Sequence, residues 1–191
     1  MADADIEALI ASLRIGERID DVIDQLASLG EPCIEPLLAA LLSPAEPVLA
    51  REAAAIALGH IAPGGVARLL EVLDGDDDEL ADLAAWGLRW PPRSALAEPI
   101  LGAMLEHPDA RRRLRALRGL RYIGVDATAL DPRILACARD DAPHIRAAAL
   151  AVIERVGLDA SGAREALEAA QTDPDSSVRE AARRALGQLG E

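Results

Sequence analysis

The chain has 191 residues, 51% of them hydrophobic and only 2% aromatic, with no Phe, one Tyr, two Trp and a formal net charge of −13. All 20 basic residues are Arg, and the absence of Lys excludes Schiff-base and P-loop chemistry. So apolar a chain is not disordered, so few aromatics argue against a β-sandwich or barrel, and so negative a charge opposes nucleic acid and anionic lipid.

Taken in chain order, the apolar spacing predicts helix pairs at 5–13/17–29, 33–42/47–61, 65–73/78–90, 95–106/109–122, 131–139/143–156 and 162–171/176–189. The acidic start, Met1-Ala2-Asp3-Ala4-Asp5, lacks the basic and apolar regions of a signal peptide. No apolar run approaches the ~20 residues that span a bilayer, so a cytoplasmic, acidic protein without a membrane partner is expected, and the Arg-only basic usage fits the GC-rich genome of a prokaryote. Cys33 and Cys137 form no C-x-x-C motif and read as two buried thiols. Pro and Asp mark the joints, at Ser43-Pro44, His107-Pro108-Asp109, Asp131-Pro132 and Asp173-Pro174-Asp175, where they suit caps and first turns.

The pairs are copies of one another. Arg51-Glu52-Ala53-Ala54 through Leu58-Gly59-His60-Ile61 aligns with Arg179-Glu180-Ala181-Ala182 through Leu186-Gly187-Gln188-Leu189, an offset of 128, or four periods of 32. One core position recurs as Leu26, Leu58, Leu88, Leu120, Ile153 and Leu186, and Gly124, Gly157 and Gly190 each close a copy as helix C-caps. In the last copy Val178, Ala181, Ala182, Ala185, Leu186 and Leu189 form one apolar face, with alanine dominant because closely packed helices leave room only for small side chains. An all-α fold follows, a right-handed α-solenoid of about six helix pairs, in one domain over residues 1–191, with the second helices lining the concave side.

The segment from Asp173-Pro174-Asp175-Ser176-Ser177-Val178-Arg179-Glu180-Ala181-Ala182 to Gly190 resembles the HEAT-like repeats of the phycobilisome-lyase type. The resemblance implies an Asp six residues before an Arg, the two pairing between repeats; Asp140/Arg146 and Asp173/Arg179 keep that spacing. The third and fourth copies depart from it, with Ala81 and His107 in the expected positions. The resemblance also implies a scaffold or adaptor, with bilin lyase subunits as one enzymatic branch.

Two columns of non-core positions run along the second helices. One is His60, Trp90, Tyr122, Arg155 and Gln188; its neighbour is Ile56, Trp86, Arg118, Ala151 and Arg184. All three aromatics therefore fall on the face expected to be concave, beside Arg118 and Arg121, and these are the residue types that dominate binding hot spots. The candidate partner-binding set is Trp86, Trp90, Arg118, Arg121, Tyr122, His60 and Arg155. The competing reading is that Trp90, followed by Pro91-Pro92, plugs an irregular joint with Tyr122 packed on it.

Charge is segregated too: residues 1–110 carry 6 Arg against 21 acids, and residues 111–191 carry 14 Arg against 12. The acidic run Asp74–Asp82 and the arginine run Arg111–Arg121 either pair with each other or leave Arg118 and Arg121 for an acidic partner. Arg112 and Arg115 align with core positions Val178 and Ala181, so either their stems snorkel or the register shifts locally.

His60, His107 and His144 lie in different copies, and none is followed by the Glu that deoxyhypusine hydroxylase, a HEAT-like iron enzyme, uses in its ligand pairs. Zinc spacing, G-x-S-x-G and the nucleotide-binding glycine motifs are absent. The expectation is a non-catalytic scaffold, with no catalytic residues, cofactor or metal, that is a monomer or weak oligomer and binds another protein. The alternatives are a bilin lyase-like or chaperone subunit acting on a tetrapyrrole protein and, behind it, a DNA-binding HEAT-like protein.

Overall fold

Alanine and leucine at helical spacing, broken by Asp, Pro and Gly, give short helices that must bury one face against a neighbour. A computed structural model describes residues 2–89, 93–123, 131–156 and 161–189, and Trp90, Gly124, Gly157 and Gly190 lie outside these described residues. Among the described residues there are twelve α-helices and no strand. In chain order they are α1 (Ala2–Leu13), α2 (Ile19–Leu29), α3 (Ile34–Leu42), α4 (Val48–His60), α5 (Gly64–Leu73), α6 (Asp78–Gly87), α7 (Arg93–Leu105), α8 (Ala110–Ile123), α9 (Asp131–Cys137), α10 (Pro143–Val156), α11 (Ser161–Ala170) and α12 (Ser176–Leu189). No helix of the described residues is long and apolar enough to cross a membrane.

The chain divides into two compact units, Met1–Ala97 and Glu98–Glu191. In the first, α4 is the central helix and packs on α1, α2, α3, α5 and α6. Its Ala53, Ala54, Ala55 and Ala57 are all buried, because methyl-sized side chains let five helices approach one axis. The approach is closest at two glycines. A Cβ on Gly65 would lie 2.1 Å from the Leu58 carbonyl oxygen, and one on Gly87 would lie 2.3 Å from that of Ala55. In the second unit α10 packs on α8 and α12, so the second helices of successive pairs stack directly on one another. The recurring core position behaves as the repeat predicts: Leu26, Leu58, Leu88, Leu120 and Ile153 are fully buried, and Leu186 is half-buried.

A ladder of arginine forks ties successive pairs together in the second unit. Arg113 donates from Nε and Nη2 to the two carboxylate oxygens of Asp140, at 2.8 and 3.2 Å, and from Nη1 to the carbonyls of His107 and Pro108, both at 2.8 Å. Arg146 repeats the pattern 33 residues on, with both bonds to Asp173 at 2.8 Å and Nη1 on the carbonyls of Asp140 and Asp141 at 2.8 and 3.0 Å. Arg179 donates Nη1 to the carbonyls of Asp173 and Pro174 at 2.7 and 2.9 Å. Thus the Asp six residues before an Arg supplies that Arg with its carbonyl, while its carboxylate serves the Arg of the preceding copy.

Each of these aspartates also shapes its own turn: Asp140 accepts from the Ala142 N–H and Asp173 from the Asp175 N–H, both at 2.9 Å. His107 does the same through Nδ1, which accepts from the Asp109 N–H at 3.0 Å. The arginine position of the preceding copy is Ala81, so no arginine there calls for a carboxylate at position 107. The first unit has its own version of the fork. Buried Arg51 donates from Nε to the Leu41 carbonyl at 3.0 Å and from Nη1 to Glu79.

The repeat register is unshifted at α8, because Arg113 occupies the same rung as Arg146. Arg112, in the column of Val178, is half-buried with Nη1 3.3 Å from Nε2 of His107, and Arg115 is buried. Cys33 and Cys137 are buried free thiols. Loss of water around Cys137 pushes its thiol up to about 11, so it carries no thiolate at neutral pH.

Candidate functional site

Which part of each second helix faces outward follows from the core. On α8, Ala116, Leu117 and Leu120 are buried, and Arg121 and Tyr122 turn away from them into solvent. The same register on α10 and α12 puts Leu150 and Ile153 inside and leaves Glu154, Arg155, Arg184 and Gln188 on the opposite side.

These outward positions meet in the second unit. Arg121, Ala151, Glu154, Arg155, Arg184 and Gln188 line one cavity of about 300 Å³, taking residues from α8, α10 and α12. Ala151 stands in the column that carries Arg118 and Arg184, and its single methyl leaves the room that the cavity occupies. Three guanidinium groups face one carboxylate here. Arg184, whose side chain is 58% exposed, reaches Glu154 only at 3.8 Å, the loose limit of an ion pair. Arg121 and Arg155 are exposed and make no hydrogen bond or ion pair among the described residues. Arg113 and Arg146, in contrast, each make four hydrogen bonds. The cavity has a formal excess of two positive charges, borne by guanidinium groups. Such an arrangement can hold and orient an anion.

Of the sequence-predicted set, the cavity gathers Arg121 and Arg155, and it adds Arg184 and Gln188 from the same two columns. Glu154 belongs to neither column and was not anticipated; its signal is the position just before Arg155, facing Arg184 across the helix pair. Arg118 is half-buried and does not line the cavity. Tyr122 is 43% exposed. His60 and Trp86 belong to the first unit, where His60 ends α4 in solvent and Trp86 is half-buried on α6. The guanidinium of Arg89 lies over the Trp86 ring, 4.1 Å from its centroid, and covers one face by a cation–π contact. Trp90 lies outside the described residues.

The two charged runs have assigned members. Asp77 caps α6, its Oδ1 accepting from the N–H groups of Glu79 and Leu80 at 2.9 and 3.0 Å, and Glu79 pairs with Arg51. From the arginine run, Arg113 pairs with Asp140. The charge asymmetry follows the two units: Met1–Ala97 has 18 acidic residues against 6 Arg, whereas Glu98–Glu191 has 15 against 14.

Consecutive helix pairs at a period near 33, stacked through their second helices, define an all-α solenoid of the HEAT/armadillo-like kind. A family profile for HEAT repeats matches residues 97–187. No curated protein matches the chain in sequence. Among solved structures, a designed armadillo repeat protein in complex with the peptide (KR)4 is similar at 18% identity, over 95% of this chain and 98% of that one, with a TM-score of 0.51. Computationally designed armadillo repeat proteins for modular peptide recognition are similar at 16% identity over the same shares, with a TM-score of 0.52. At these identities the likeness is one of fold. The complex of CpcE and CpcF of phycocyanin lyase from Nostoc sp. PCC7120 aligns at 19% identity over 96% of this chain and 98% of that one, but its TM-score of 0.35 is too low to single out the phycobilisome-lyase type of repeat.

Proposed function

We propose that this chain is a non-catalytic scaffold that captures a segment of another protein along the outward face of its second helices. One observation carries the reading: Arg121 and Arg155 stand without partners among the described residues around a cavity shared by three successive second helices. The repeat fold supports it, since a designed protein of this fold was solved with a peptide bound. The interaction face comprises Arg118, Arg121, Tyr122 and Arg155, extended by Arg184 and Gln188. His60, Trp86 and Trp90 belong to the same two columns of the sequence. Arginine and tyrosine suit this task because they combine large contact area with directed hydrogen bonding. The arginine ladder, with Asp140/Arg146 and Asp173/Arg179 at six-residue spacing, is what favours repeats of the phycobilisome-lyase type within the wider HEAT class.

The test is selection from a displayed random-peptide library on the immobilised full-length chain, followed by affinity measurement with one enriched synthetic peptide. Arg121→Ala combined with Tyr122→Ala should weaken that peptide by ten-fold or more, a loss of about 1.4 kcal/mol or greater. Equal affinity in a double variant of unchanged helical content, or no enrichment at all, would sink the proposal.

A further inference from the structure

The chemistry of the captured segment follows from the charge of the cavity. Arg121 on α8, Arg155 on α10 and Arg184 on α12 surround it, with Glu154 as the one opposing charge and Gln188 as a neutral donor and acceptor. Three arginines around one cavity repel one another unless an anion sits among them, and among the described residues the one carboxylate lining it, Glu154, reaches Arg184 at 3.8 Å. The rest of the unit shows what satisfied arginines look like here: Arg113 and Arg146 are each closed by a carboxylate gripped from two nitrogens and by two carbonyls. The open forks of Arg121 and Arg155 have the same valence unfilled.

We infer that the bound segment is an acidic peptide whose carboxylates occupy the cavity of Arg121, Arg155 and Arg184. This rests on the reading of the chain as a scaffold and adds the class of partner. Packed helices stand about 10 Å apart, and an extended peptide advances about 3.3 Å per residue. A strand crossing α8, α10 and α12 therefore brings a carboxylate to successive helices when acids recur at every third residue. A protein segment fits better than nucleic acid, because a continuous polyanion would also meet the field of a chain with a net charge of −13 and no Lys. The peptide (KR)4 held by the designed armadillo protein is opposite in charge to what this cavity favours.

The experiment is fluorescence anisotropy on the full-length chain with four labelled probes. They are a nine-residue peptide with Glu at every third position between Gly and Ser, the same peptide with Gln for Glu, an alternating Lys-Arg octapeptide, and an oligothymidylate of nine nucleotides. The Glu peptide should bind at least ten-fold more tightly than the Gln peptide, lose affinity as salt is raised from about 50 to 300 mM, and exceed both other probes. Arg121→Glu with Arg155→Glu should abolish that preference, and the neutral pair Arg121→Gln with Arg155→Gln, judged by unchanged circular dichroism, should reduce it without a net gain of acids. Equal binding of the Glu and Gln peptides, full retention by the charge-reversed variant, or tighter binding of the oligonucleotide would overturn the inference. If library-selected peptides are neutral or basic and bind the charge-reversed variant unchanged, the acidic class falls and the scaffold stands. If no peptide of any composition is retained, both fall.

Discussion

Arg146→Ala lowers the stability of the folded chain by about 3 kcal/mol, because it strands a largely buried carboxylate and opens two carbonyls. The Asp173 side chain is 11% exposed and receives both of its ion-pair hydrogen bonds from Arg146. For a chain of this size the change corresponds to a melting point lower by roughly 6–12 °C. Arg146→Lys recovers only part of the loss, since an ammonium cannot grip both carboxylate oxygens and two carbonyls in one plane.

The effect carries a pH signature. The Arg146 hydrogen bonds hold the Asp173 carboxyl below the usual carboxylate range, outweighing burial, with the Asp175 N–H assisting. A depressed carboxyl contributes stability above its unfolded pKa, about 3.9, and that contribution disappears as pH falls through the lower folded value. The gap between wild type and Arg146→Ala should therefore be constant above about pH 5 and narrow below pH 4, leaving the share due to the carbonyl bonds. Urea unfolding across pH 3–7 measures it; a gap unchanged at pH 3 would mean that the Asp173 pair contributes nothing.

Gly87→Ala costs a further kind of energy, that of overpacking, and about 2–3 kcal/mol is expected. A Cβ there would lie 2.3 Å from the Ala55 carbonyl oxygen and 2.8 Å from its carbon, and both belong to backbone at the centre of the first unit, so neither can rotate away. Gly187, in α12, gives the opposite sign. A Cβ at Gly187 meets nothing within 4 Å, and the alanine gains helix propensity, so Gly187→Ala should stabilise by about 0.5–1 kcal/mol. Thermal unfolding of the two variants side by side tests the packing argument, which fails if both shift the melting point in the same direction.

The repeat was legible because every copy has the same core to fill. Leu26, Leu58, Leu88, Leu120 and Ile153 recur at steps of 30 to 33 residues and are all fully buried, and the helix boundaries follow from Asp, Pro and Gly at the joints. Where the period weakens, so does the reading. The helix expected over 78–90 ends at Gly87; the Leu88 N–H turns back to the carbonyls of Ala84 and Ala85, and the Arg89 N–H to that of Trp86. The Asp–Arg spacing was visible, but its wiring was not: a six-residue interval cannot show that Asp140 answers to Arg113 and Asp173 to Arg146, because that depends on which copies touch.

The same limit applies at the candidate site. Arg155, Arg184, Ala151 and Gln188 could be placed in columns from the period alone, and α10 and α12 do bring them to one cavity. The stacking of Arg89 on Trp86 and the approach of Glu154 to Arg184 are side-chain choices that no spacing encodes. Scarce aromatics drew attention to Trp86, yet the open positions of the second unit are arginines.

Hydrogen–deuterium exchange of the full-length chain with and without a bound selected peptide tests most directly the claim that the second helices of Glu98–Glu191 carry the partner. Slowed exchange should fall within 118–123, 150–156 and 183–189, the turns that bear Arg121, Arg155 and Arg184. Protection confined to the first helices α9 and α11, or to residues 2–89, would contradict it.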